Sequence, residues 1–323
     1  MERREVGTTG LSLSVVGLGG AWLGHDPEDP ASVLGASTVL EAAYESGVNW
    51  LDTSENYFDT GNEAVIGAAL AKLPGDLLVC SKVAPGAVHS GGGSGFRPDQ
   101  VRAACHASLR RLRREHIDLY LLHWPDRTGV PLADTWGAMA DLVTDGLVRA
   151  IGLSNYDQDD IARCHQQRRV DAIQTGLNAV QYLDDRPMIA WCGQQGIAVT
   201  IYDPLAGGLL TDSSFAQARA RWVGTPWEDS TVAPGLFAPE NAEDATLAVA
   251  RLRAIAEQVG ASVAQVSLAW LLRQPGVTSV IPGTRTPARA RSNAAAAEVR
   301  LSEAMLRVID DEVVPIGTRM SGG

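Results

Sequence analysis

Short runs of consecutive apolar residues alternate along this chain with longer stretches whose apolar positions return every three to four residues. The short runs fall at 15–18, 48–51, 77–81, 119–122, 150–153, 172–175, 198–202 and 279–281. Each is too short for a helix and apolar on both faces, the pattern of a strand covered on both sides in a parallel sheet. The longer stretches, at 31–46, 63–72, 97–113, 131–144, 158–167, 186–195, 242–259 and 287–297, carry helical periodicity. Most strand ends recur at the roughly thirty-residue spacing of a βαβ unit. Eight strands alternating with helices predict an α/β fold of the closed (β/α)8 TIM-barrel type, because the Gly-rich first turn expected of an open dinucleotide-binding sheet is missing.

Other segments decorate this frame. Turn residues between two alternating segments over 5–14 predict an N-terminal β-hairpin that plugs the bottom of the barrel. A further helix is expected at 262–273 and another at 302–313, after the barrel closes, with 317–323 as a frayed tail. No linker divides the chain, so residues 1–323 are expected to form a single domain. The connection 206–241 is too long for a turn; its Phe215, Trp222, Trp227 and Phe237 make a substrate wall the expected use. Gly91-Gly92-Gly93-Ser94-Gly95 reads as a flexible connection, lacking the Lys-Ser/Thr of a phosphate loop. Gly17-Leu18-Gly19-Gly20 reads as a tight turn off the first strand.

Composition narrows the class. With 45% hydrophobic residues in 323 there is ample material for a core, yet no apolar run reaches the ~20 residues of a membrane span. Four widely spaced cysteines without a Cys-x-x-Cys pair suit reduced thiols in a cytoplasm. A net charge of -11 argues against sequence-blind binding to nucleic acid, and the basic run Arg110 to Arg114 is expected to be a solvated helix end. Six scattered histidines give no metal set. Gly152-Leu153-Ser154-Asn155-Tyr156 lacks the closing glycine of a nucleophile elbow.

The candidate chemistry sits at strand ends. Val48 to Tyr57 starts as a buried strand and finishes on Asp52 and Tyr57; the next two strands finish on Lys82 and His123. In a barrel these ends share the rim where active sites are built. Singly each residue has an ordinary alternative: a solvated lysine, a structural histidine, a turn-capping aspartate. Jointly they predict an acid–base site, in which Lys82, held by Asp52, favours the Tyr57 phenolate and lowers its pKa toward neutrality, while His123 donates to a substrate oxygen.

Taken together, Leu51-Asp52-Thr53-Ser54 with Tyr57, Ser81-Lys82, Leu121-Leu122-His123-Trp124-Pro125-Asp126, Ile151-Gly152-Leu153-Ser154-Asn155, Tyr202-Asp203-Pro204-Leu205 and Ile281-Pro282-Gly283-Thr284-Arg285 resemble, in order, the aldo-keto reductases over almost the whole chain. That resemblance implies a nicotinamide dinucleotide bound without a Rossmann domain and a tetrad of Asp52, Tyr57, Lys82 and His123, with Tyr57 as general acid. It implies that Ser154, Asn155 and Gln174 bind the carboxamide, that Tyr202 stacks on the nicotinamide, and that Pro204, Leu205, Gly283, Thr284 and Arg285 line the cofactor. Arg289 and Asn293, one helical turn apart, resemble the clamp on the 2′-phosphate and adenine. NADP(H) is therefore the expected cofactor. Gly283 replaces a lysine common in the family and leaves NAD(H) open, and Asp203 replaces a serine near the pyrophosphate. Trp22 and Trp124 are expected substrate walls for an aldehyde, ketone or aldose. The alternatives are an NAD-linked sugar dehydrogenase and a cofactor-binding regulatory subunit with little turnover.

Overall fold

The computed structural model describes residues 1–85, 94–222 and 235–320. Its strands are β1 (Arg3–Glu5), β2 (Ser12–Ser14), β3 (Leu18–Gly19), β4 (Trp50–Asp52), β5 (Leu78–Val83), β6 (Ile117–Leu122), β7 (Val148–Ser154), β8 (Ala172–Gly176), β9 (Ala198–Tyr202) and β10 (Val277–Val280). β1 and β2 form the antiparallel hairpin, and β3 to β10 form one parallel sheet in chain order. The sheet closes on itself. Gly17 N–H donates to Val280 O at 2.9 Å, Val280 N–H to Val15 O at 3.0 Å and Gly19 N–H to Pro282 O at 3.1 Å. Helices Pro30–Glu45, Gly61–Leu70, Pro98–Leu112, Leu132–Thr144, Gln158–Gln167, Arg186–Gln194, Ala242–Val259 and Pro287–Ala295 follow the strands, with Val263–Leu271 as the extra helix before β10. The (β/α)8 barrel expected from the periodicity is the fold.

Residue parity decides which side chains face inward, since successive strand residues point to opposite sides. Leu51, Val79, Tyr120, Leu122, Ile151, Leu153, Ile173, Val199 and Ile201 pack outward into the main core beneath the helices. Trp50, Cys80, Leu119, Leu121, Ala150, Ala172 and Ala198 form a separate inner cluster with Val6, Leu11 and Leu13 from the hairpin. This is the predicted plug. Two residues further along the strands, the same inward parity reaches Asp52, Lys82, His123 and Gln174, and four residues further, through Gly152 from Ala150 and Thr200 from Ala198, it reaches Ser154 and Tyr202. The barrel interior is thus apolar at its floor and polar at its rim.

Several local expectations need correction. The glycine run at β3 does more than make the expected turn, which Leu23 N–H closes on Gly20 O at 2.9 Å: it also permits close approach, since a Cβ on Gly17 would lie 2.3 Å from the Trp50 indole and one on Gly20 2.5 Å from Asp52 O. The tail is helical through Met320, and a Cβ on Gly317 would lie 2.3 Å from Val180 Cα, so this segment is packed, not frayed, over Val314–Met320. Arg111 and Arg114 are more than a solvated helix end, because Arg111 Nε donates to the buried Glu63 at 2.7 Å and Arg114 reaches Asp118 at 3.6 Å. Residues 86–93, with Gly91 to Gly93, and 223–234, with Trp227, lie outside the described residues.

Candidate functional site

Lys82 is fully buried, which only strong partners allow. Its Nζ donates to both Asp52 oxygens at 2.7 Å and to Thr53 O at 2.8 Å, and lies 5.3 Å from the centre of the Tyr57 ring. Burial pulls the lysine pKa down, but the charge of Asp52 outweighs it together with its other neighbours, so Lys82 is held protonated above its ordinary value. Asp52 is fixed from a second side by Gln174, whose Nε2 donates to Oδ1 at 2.8 Å.

The Tyr57 ring meets His123 edge-on, with centroids 5.8 Å apart. Its hydroxyl is pushed up to about 12, first by burial, which outweighs the lowering by Lys82 and is reinforced by the charge of Asp52. The expected fall toward neutrality is therefore reversed. The physical reason is that the ammonium is already neutralised by a carboxylate at hydrogen-bond distance, so burial governs the phenol. The residue as a whole is partly exposed, but its hydroxyl responds to the buried cluster around it. Tyr57 is a phenol at neutral pH, suited to giving a proton.

His123 is 4% exposed, and burial followed by the Lys82 charge hold its pKa well below the ordinary value, so the imidazole is neutral. Trp124 stacks on it with centroids 3.6 Å apart and planes 14° from parallel. Ser54 Oγ meets His123 Nδ1 at 2.9 Å.

Beside this cluster the rim is polar. Asn155, with φ of 65°, donates from Nδ2 to His123 O at 2.9 Å and to Ser154 Oγ at 3.1 Å, and accepts from Tyr202 Oη at 2.8 Å. Ser154 and Gln174 are register partners on β7 and β8, both buried. Tyr182, which the sequence did not single out, packs edge-on against Tyr202 at 5.9 Å. Asp203 Oδ1 accepts from Gly207 N–H at 2.7 Å, while Oδ2 is sealed and meets no hydrogen-bond partner among the described residues. Burial raises this carboxyl to about 7. Pro204 is buried and Leu205 packs against the core.

The opposite flank is built from the start of helix Pro287–Ala295. Thr286 caps it by accepting from Arg289 N–H, and Thr284 Oγ1 accepts from Thr286 N–H at 3.2 Å. Arg289 is exposed and Asn293 is 8% exposed on the same face. Arg221 lies near enough to Arg289 that, after burial, the second guanidinium lowers its pKa further. Only the folded chain brings these two together; no sequence signal marked Arg221. Trp22 explains Gly283: a Cβ there would lie 3.1 Å from the Trp22 ring, which also carries the Arg285 guanidinium at 4.6 Å and meets Trp222 edge-on at 6.0 Å. Of the other loop aromatics, Phe237 is buried in the core and the half-buried Phe215 packs on it at 5.8 Å, so this pair faces the core rather than forming the expected wall.

A model of the aldo/keto reductase family matches residues 15–313. The chain is 30% identical to the NADH-specific methylglyoxal reductase of Escherichia coli (strain K12), covering 94% of this chain and 96% of that one. Among solved structures, the glycerol dehydrogenase AKR11B4 from Gluconobacter oxydans superposes with a TM-score of 0.83 at 26% identity, over 97% of this chain and 94% of that one. An aldo/keto reductase from Klebsiella pneumoniae in complex with NADP and acetate gives 0.74 at 27% identity, over 97% and 96%. The chain belongs to the aldo/keto reductase family and is an oxidoreductase of NAD(P)(H)-dependent type. The residues present fit such a dinucleotide. A polar rim lies beside the Tyr202 ring, and two mutually repelling guanidinium groups flank a capped helix N-terminus, an arrangement that a phosphate relieves.

Proposed function

We propose that the chain reduces aldehydes, ketones or aldoses, with Tyr57 as general acid and NADP(H) as the preferred cofactor. The observation that carries this reading is the joint placement of Tyr57, Lys82, Asp52 and His123 at the polar end of the barrel interior. When bound, the dinucleotide supplies the hydride. Tyr57 gives its proton to the carbonyl oxygen, and Lys82, kept charged by Asp52, stabilises the phenolate left behind. His123 and Trp124 orient the carbonyl, and Trp22 walls the mouth. Arg289, Arg221 and Asn293 hold the adenosine end, favouring a 2′-phosphate; the NADH-specific relative makes NAD(H) the competing reading. The glycerol dehydrogenase likeness supports a second direction, oxidation of a polyol or sugar. Four buried, free cysteines suit a reducing cytoplasm.

The test is NADPH and NADH consumption over a panel of aldehydes, ketones and aldoses that includes methylglyoxal. Turnover by the wild type and a fall in kcat of about 10²–10⁴ in Tyr57→Phe, with cofactor affinity retained, are expected. Near-normal turnover in Tyr57→Phe removes that residue from the role.

A further inference from the structure

Behind His123 stands a polar pair that the proposed mechanism has not used. Ser54 and Asn56 are buried, and Ser54 Oγ lies between His123 Nδ1 at 2.9 Å and the Asn56 side-chain oxygen at 2.6 Å. Its other neighbour, Lys82 O, is at 3.5 Å, too long to compete. One hydroxyl hydrogen therefore has two serious destinations. If it goes to the Asn56 oxygen, Nδ1 must carry the imidazole hydrogen, and Nε2 of a neutral ring is left as an acceptor. A carbonyl oxygen is also only an acceptor, so that tautomer offers it nothing.

The amide itself resolves the conflict. In the arrangement with its oxygen toward Ser54, Asn56 Nδ2 is buried without a hydrogen-bond partner among the described residues. A half-turn of the amide exchanges its oxygen and nitrogen without moving any neighbour. The nitrogen then donates to Ser54 Oγ, and the serine donates to Nδ1. An under-satisfied carbonyl oxygen replaces an orphaned N–H, the cheaper of the two defects.

We infer that Asn56 and Ser54 form a one-way hydrogen-bond relay, Asn56 to Ser54 to His123 Nδ1, that fixes the imidazole as the Nε2–H tautomer and makes it a donor to the substrate oxygen. Both are positioning residues, acting through His123. Trp124, stacked on the ring, holds its plane while the relay sets its hydrogen. The inference rests on the carbonyl-reductase reading for its purpose but not for its geometry.

Long-range ¹H–¹⁵N correlation of histidine-labelled protein, free of ligands, reads the tautomer directly, with His123 assigned by its loss in His123→Gln. The wild type is expected to show the hydrogen on Nε2. Asn56→Asp replaces the donor by an acceptor and is expected to move the hydrogen to Nδ1. It should also lower kcat for carbonyl reduction by more than about tenfold, within the ~10⁴ known when a catalytic imidazole is held in the wrong tautomer, while KM for the dinucleotide stays constant. Ser54→Ala, which keeps the chain's charge, is expected to abolish the Nε2–H preference, and Ser54→Thr to retain it. A wild-type ring with its hydrogen on Nδ1, or an unchanged tautomer in Asn56→Asp and Ser54→Ala, overturns the relay. If no carbonyl is reduced by the wild type, the functional reading fails while the tautomer measurements still judge the relay.

Discussion

At the scale of single residues, burial sets the acid–base character of Tyr57, His123 and Asp203, while pairing prevails at Lys82. Tyr57 illustrates it, since the sequence names both the lysine near the phenol and the carboxylate that holds it, but not the depth of burial that decides the balance between them. Asp203 makes the same point where no cation intervenes. Its backbone is left-handed, with φ of 47°, its carboxyl accepts a single backbone N–H, and its pKa rises from 3.8 to about 7. The residue keeps some exposure, but the sealed Oδ2 is what matters for ionisation. An acid whose folded pKa is raised stabilises the fold fully below its unfolded pKa, and that contribution is lost as pH rises through the folded value. Asp203→Asn keeps the acceptor for Gly207 and tolerates the positive φ. It is expected to leave the melting temperature unchanged near the unfolded carboxylate pKa and to raise it above about 7, by a free energy on the order of a few kcal/mol. Thermal melts across that range check it. Equal melting temperatures at alkaline pH would mean the carboxylate finds a partner.

At the scale of elements, the strands were legible because their apolar runs had no other stable use, and the strand ends named the rim before any coordinates did. Parity was written there as well: Trp50 and Asp52, Cys80 and Lys82, Leu121 and His123 each stand two residues apart, hence on one face. What the chain did not advertise is contact between distant loops. Trp22 lying against Gly283 and Arg221 approaching Arg289 depend on how the loops at β3, β9 and β10 fold over one another. The helix Pro287–Ala295 shows the boundary between the two kinds of knowledge. Its Pro start, its Thr286 cap and the shared face of Arg289 and Asn293 follow from local sequence, whereas the second guanidinium does not. Arg289→Ala is expected to raise KM for NADPH by about tenfold or more, as the loss of a charge-assisted phosphate contact requires, with little change for NADH. Arg221→Ala is expected to follow the same pattern more weakly, because its charge is partly engaged by Gly208 O at 3.2 Å. Equal changes for both cofactors would count against a 2′-phosphate site.

At the scale of the whole molecule, the barrel separates what holds it together from what it does. The hairpin β1–β2 sends Val6, Leu11 and Leu13 into the floor, against Trp50, Leu119 and the alanines of β7, β8 and β9. Small side chains on those strands leave the room that the plug fills, and a gap there would have no partner atoms on one side. Asp52, Lys82 and His123 stand one inward-facing layer above on the same strands, anchored by their own hydrogen bonds rather than by the plug. Leu11, 2% exposed, therefore tests the separation. Leu11→Ala is expected to cost about 2–5 kcal/mol of stability through lost burial and the cavity left behind, lowering the denaturation midpoint. Turnover and KM, measured where the variant is still folded, are expected to stay at wild-type values. A fall in kcat as steep as the fall in stability would mean that the floor sets the height of the rim, and that the packing of the hairpin belongs to the site.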